Sequence, residues 1–126
     1  MFDYRDREES GRASAPGRLD LDVSAAAAEL RRSGVRKVML LGAYAGGALS
    51  VVAAARLGGS VLLVAAREDR FVPLKQQEEL LRVLGSPDKR LVVLPYSLGG
   101  WDILNLSSLA DRTIGLILRF VHRVTR

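Results

Sequence analysis

Few residues of this chain could do chemistry, and their spacing is more telling than their number. Gly42-Ala-Tyr-Ala-Gly46, followed by Gly47, stands between an apolar run and an alanine-rich segment. A G-x-S-x-G turn in such a place presents a serine hydroxyl to an acyl carbon, and the next backbone N–H helps to hold the oxyanion. Here the central position is Tyr44, a phenol in place of an alcohol. With a pKa near ~10, a phenol is a poor nucleophile toward an ordinary ester unless a base takes its proton. The chain has one histidine, His122, and no cysteine. Thiol nucleophiles and disulfides are therefore excluded, and a structural zinc site lacks its usual ligands. No metal and no cofactor is expected.

Such a turn needs a strand before it and a helix after it, and the apolar pattern predicts both. Residues 36–42 read as a buried strand, with a helix from about Ala45 to Leu57. A second continuous apolar strand spans 60–66, and a helix starts near Pro73 and ends at Gly85. A third strand spans 89–95, followed by a Gly-rich loop. The last helix, about 107–125, carries Leu106, Leu109, Ala110, Ile114, Ile117, Leu118 and Val121 on one side. Ahead of these elements, residues 5–18 read as a loop. A helix from Leu19 places Leu19, Val23, Ala26, Ala27 and Leu30 on one face, and Gly34 closes it in the left-handed conformation. Wholly apolar strands alternating with helices predict a parallel sheet covered on both faces. Leu40, Leu41, Leu62, Val64, Val92 and Val93 are then expected in the core. Functional loops follow the carboxyl ends of such strands, here after Gly42, Ala66 and Pro95.

Read in order, "FDYRDREESG", "LLGAYAGGALSVVAA", "VLLVAAREDRFVP" and "KRLVVLPYSLGGWDIL" resemble successive landmarks of the α/β-hydrolase family. The resemblance covers nearly the whole chain and rests on order and spacing more than on any single motif. It implies an α/β fold: a small three-layer αβα sandwich on a mostly parallel sheet of three or four strands, a truncated α/β-hydrolase fold. Phe2–Tyr4 would be the fourth strand. Residues 1–18 would be an N-terminal strand remnant and loop, and residues 19–126 the hydrolase-like domain. Carried over position by position, the nucleophile falls on Tyr44, the acid on Asp69 and the base on Gly99. The N–H of Ala45 is the surviving oxyanion donor. The small residues of the elbow, Gly42, Gly46 and Gly47, are kept, as are "FVP" after the acid and "GWD" after the base position.

Two members of the triad are thus lost. Glycine at 99 has no group to accept a proton, and a serine-type attack needs a neighbouring imidazole. The expectation is a catalytically inactive, α/β-hydrolase-like protein acting as a binding or interaction domain, or surviving as a remnant. The residues alone leave two alternatives open. One is an active carboxylic-ester-type hydrolase using a non-standard residue or a partner chain, and the other is a basic scaffold associated with nucleic acid. His122 reads as a helix-end histidine among Arg119, Arg123 and Arg126. Asp69 reads as a turn residue ahead of Pro73, paired with Arg67 or Arg70. Tyr44 reads as a packing residue or as a ring plugging the old pocket.

The net charge of +5 invites a polyanion partner, yet the arginines of the last helix lack the interleaved aromatics of a single-strand platform. Nucleic acid is therefore disfavoured. Apolar runs fall far short of the ~20 residues of a membrane span, so no membrane is expected and the location is taken as cytoplasmic. Between the second helix and the 60–66 strand the family has a further strand and a lid, replaced here by "GGS". So small a parallel sheet leaves its edges open, which predicts self-association or a partner chain covering the edge. A small acyl ligand is the other expected partner. A start at the end of a family strand also raises truncation of a longer protein as an expectation.

Overall fold

A computed structural model describes residues 20–97, 99 and 102–126 of the chain. Its contacts divide the chain into two compact units, Met1–Leu57 and Gly58–Arg126.

The first unit is built on two helices, α1 (Asp20–Arg32) and α2 (Tyr44–Arg56), packed against each other. Val23 and Ala27 of α1 and Val51 and Ala53 of α2 are buried. The helices are also joined at their ends. Asp20, buried in the first turn of α1, meets Arg56 from the last turn of α2 at 3.3 Å. A carboxylate at a helix N-terminus and a cation at a C-terminus each complement the helix dipole, so one ion pair serves both helices. Gly34 ends α1 as expected, with φ at +90°. Its N–H donates to the Arg31 carbonyl and that of Val35 to the Leu30 carbonyl, the paired bonds of a Schellman motif.

Residues 36–42 do not form the expected strand. They run as coil after α1, with Met39 and Leu41 each 61% exposed. An apolar run becomes a strand only when a neighbouring strand takes its N–H and C=O groups, and no ladder includes this run among the described residues. Phe2–Tyr4 lies outside the described residues.

The second unit contains β1 (Val61–Ala66), α3 (Leu74–Val83), β2 (Lys89–Leu94), α4 (Asp102–Asn105) and α5 (Ser107–Thr125). The two strands pair in parallel from Val61↔Lys89 to Ala66↔Leu94, and α3 is the crossover between them. Helix α3 packs on both strands, α5 packs on β1, and α4 packs on α5. Pro73 caps the start of α3, where its missing N–H costs nothing. The core gathers Val61, Ala65, Ala66, Leu84, Leu94 and Ile103, with Leu94 wholly enclosed.

The architecture is therefore mixed α/β with a two-stranded parallel sheet. The three- or four-stranded, three-layer sandwich is not present among the described residues. One consequence is visible in the expected core. Leu62, Val64, Val92 and Val93 are only half-buried, Leu40 likewise, and Leu41 is exposed. Both faces of a strand become dry only when layers cover both, and that condition is not met here. The inward face of α5 is shifted round from the expected one. Thr113 is its most buried residue and Leu109, Ala110, Ile117 and Val121 are half-buried, whereas Ile114 and Leu118 are 44% and 61% exposed. The Thr113 hydroxyl has no hydrogen-bond partner among the described residues. The expected Gly-rich loop before α5 holds the short helix α4, whose Leu106 boundary is extended.

Candidate functional site

The loops that follow β1 and β2 are carried side by side by hydrogen bonds that continue past the sheet. The Arg67 N–H donates to the Leu94 carbonyl at 2.8 Å, and that of Glu68 to the Tyr96 carbonyl at 3.0 Å. One residue further on, Asp69 faces the loop from β2. Its Oδ1 accepts from the backbone N–H groups of Phe71 (2.8 Å) and Val72 (3.0 Å). This is an Asx-type turn, in which a short carboxylate replaces a backbone acceptor. Asp69 is thus the turn residue that the sequence suggests. No ion pair with Arg67 or Arg70 is found among the described residues.

Gly99 is buried directly against this carboxylate. A Cβ built on Gly99 would overlap Asp69 Oδ2 and would lie 2.5 Å from Cγ and 3.2 Å from Oδ1. The acid and base positions carried over from the family resemblance are therefore neighbours in space. The base position is neighbour to the acid because it has no side chain. Any residue larger than glycine would have to displace a carboxylate that two backbone donors hold in place. The arrangement can accept hydrogen bonds and shape a turn. Among the described residues no imidazole lies beside Asp69 to activate a hydroxyl.

Tyr44 and Ala45 belong to the other unit. Tyr44 is the first residue of α2, after Ala43 in an extended conformation (φ −127°, ψ 157°). The helix half of the strand–turn–helix context is present and the strand half is not. The side chains of Tyr44, Ala45 and Gly46 lie outside what is described, so neither the plug nor the packing reading of Tyr44 is addressed. Gly47 is described, and it explains one of the small residues. A Cβ there would stand 3.1 Å from the Gly42 carbonyl oxygen, so the start of α2 lies close on the segment before it.

His122 is exposed in the last turn of α5, where its Nε2 lies 2.5 Å from the Arg126 guanidinium. Arg123 is also engaged. It binds Asp88 at 2.7 Å and lies over the Phe120 ring, 5.1 Å from its centroid. That contact holds the Asp88 carboxyl below the usual carboxylate range, with Arg90 adding a weaker charge effect. Of Arg119, Arg123 and Arg126, two therefore have partners within α5 or in the loop before β2. Among the described residues no cluster of three or more His, Cys, Asp or Glu is able to hold a metal ion. No helix among them is long and apolar enough to cross a membrane.

One feature of the site escaped the sequence. Phe71, at the tip of the Asp69 turn, is 81% exposed. The Asp69-x-Phe71-Val72 spacing carried the signal for the turn, but nothing in it marks which way the ring points. Compared with known protein families, with curated proteins and with solved structures, the chain matches none.

Proposed function

We propose that the chain is a shortened α/β-hydrolase-like protein that has lost acyl chemistry and works as a binding and interaction module. The observation that carries this reading is the contact between Asp69 and Gly99. The loops that carry Asp69 and Gly99 lie together at the carboxyl ends of adjacent parallel strands, which supports a hydrolase-like origin. The acid is turned onto its own backbone, and the base is a glycine. An acyl transfer needs a general base within hydrogen-bond reach of the attacking oxygen. Nothing near Asp69 supplies one among the described residues.

The two-stranded sheet supports the interaction half of the reading. Strand β1, "VLLVAA", has neither charge nor proline to protect an edge. A two-stranded sheet is marginal without further cover. Self-association or a partner chain supplies that cover, and a small acyl ligand remains the natural small-molecule class for a degenerate pocket of this origin. A cytoplasmic location goes with this reading.

Hydrolysis of a short-chain chromogenic ester by the purified chain tests it, beside Tyr44→Ala and Asp69→Ala. The expected result is no rate above buffer for any of the three. A wild-type rate that disappears in either variant overturns the proposal.

A further inference from the structure

Helix α5 carries an apolar stripe wider than its own unit covers. Its buried centre is Thr113, with Leu109, Leu116, Ile117 and Phe120 beside it as half-buried positions. One step round the helix, Ile114 and Leu118 are exposed, followed by Val121 and Thr125. The intervals between these four residues are four, three and four, the spacing of a coiled-coil seam. Extended one step toward the N-terminus, the same seam reaches Asp111, which is exposed. A shallow surface depression runs along the C-terminal half of this line, bordered by Leu118, Val121, His122 and Thr125 and rimmed by Arg119, Arg123 and Arg126, which make it a basic surface.

Resting on the reading that the chain self-associates, we infer that this seam is the contact, formed by α5 of one copy against α5 of a second in antiparallel orientation. The pattern is self-complementary about a two-fold axis midway between Ile114 and Leu118. In that arrangement Ile114 meets Leu118 of the partner subunit and Asp111 meets Val121 of the partner subunit, each contact occurring twice. Such reciprocity is the mark of an isologous interface. Charge selects the orientation. A parallel pair would set the two Asp111 carboxylates against each other, which is destabilising, and would align the two helix dipoles. The antiparallel pair separates those carboxylates by about 15 Å along the axis at 1.5 Å rise per residue. It brings each one to the basic surface of the other copy, beside the His122–Arg126 pair, where hydrogen-bond donors and a guanidinium are already gathered. The acidic residue lies toward one end of the seam and the basic pair toward the other, so each copy offers what its partner lacks.

The chain contains no cysteine, which makes the test direct. Light scattering on the full chain is expected to give twice the chain mass, falling to the chain mass in Leu118→Asp with the helical spectrum unchanged. Asp111→Cys and His122→Cys chains, mixed and oxidised, are expected to form the disulfide-linked heterodimer, and neither alone a linked homodimer, because Cα atoms more than ~7 Å apart do not bridge. A dimer indifferent to Leu118→Asp, or one linked by Asp111→Cys alone, overturns the seam while self-association stands. A monomer at every concentration overturns both.

Discussion

The two ends of the β1–β2 sheet are built by opposite rules. At the amino end, everything is fastened. The buried Ser86 hydroxyl donates to the Gly59 carbonyl, the Val61 N–H donates to the Asp88 carbonyl at 2.8 Å, and the Asp88 side chain binds Arg123 of α5. One short loop thereby ties both strand starts and the last helix together. At the carboxyl end, backbone bonds from Arg67 and Glu68 join the two loops, while the Asp69 side chain satisfies only its own turn. Asp69 closes its own turn, Gly99 makes room for it, and Phe71 faces outward. In parallel α/β proteins the carboxyl end is where ligands are met. Here the amino end is cross-linked through side chains as well as backbone. At the carboxyl end the Asp69 side chain serves its own turn and Gly99 makes room for it.

Placing a base at position 99 is the most forceful way to break this contrast. Gly99→His puts a side chain where the Asp69 carboxylate lies, and overpacking of this kind costs about 1–3 kcal/mol. The variant is expected to lose that stability in urea titration and to gain no esterase activity. Combining it with Asp69→Ala is expected to recover about 1 kcal/mol relative to additivity, since the two residues are in contact. Additive effects would mean that the Asp69–Gly99 contact is not as described.

At the fastened end, Ser86→Ala leaves the Gly59 carbonyl without its donor. The loss is expected near about 1 kcal/mol, the low end for an unmade hydrogen bond, because Gly59 is half-buried and a carbonyl tolerates partial satisfaction better than an N–H. No change in the urea midpoint would shift the fastening to the backbone bond of Val61 alone.

The smallest expected effect is electrostatic. Asp88 has its carboxyl pKa lowered in the folded chain by Arg123. The unfolded chain therefore binds more protons in the window between the folded value and the ordinary value of 3.8, and stability rises with pH across it. This contribution is fully present above the ordinary value and is lost as pH falls through the folded one. Arg123→Gln is expected to flatten the acid limb of the stability profile, with the variant slightly less stable than the parent above the ordinary value and converging on it at low pH. An acid limb identical in the two proteins would remove Asp88 from the account.

Much of this was legible in the residues. The α1 stop at Gly34, the start of α3 at Pro73 and both strands follow from local rules: a positive φ that glycine adopts freely, a proline whose N–H is not needed, and apolar runs of strand length. The turn role of Asp69 also follows, because an aspartate's own short side chain reaches the N–H groups two and three residues on. What failed were statements that depended on neighbours. "RKVMLLG" has the composition of a strand and no ladder, since hydrogen bonding in a sheet is a property of two segments. The α5 face follows from spacing only in part: its apolar arc is wider than the buried strip, and packing on β1 centred that strip on Thr113, leaving Ile114 and Leu118 outside.

The division is physical. Helix ends, turns and the absence of a proton acceptor at Gly99 are set within a few residues of chain, so the sequence by itself determined them. Which apolar surfaces become core, and that Gly99 lies against Asp69 thirty residues away, depends on strands pairing in a particular register. Only the tertiary structure decided those, because burial and contact belong to surfaces that the chain brings together after its local structure has formed.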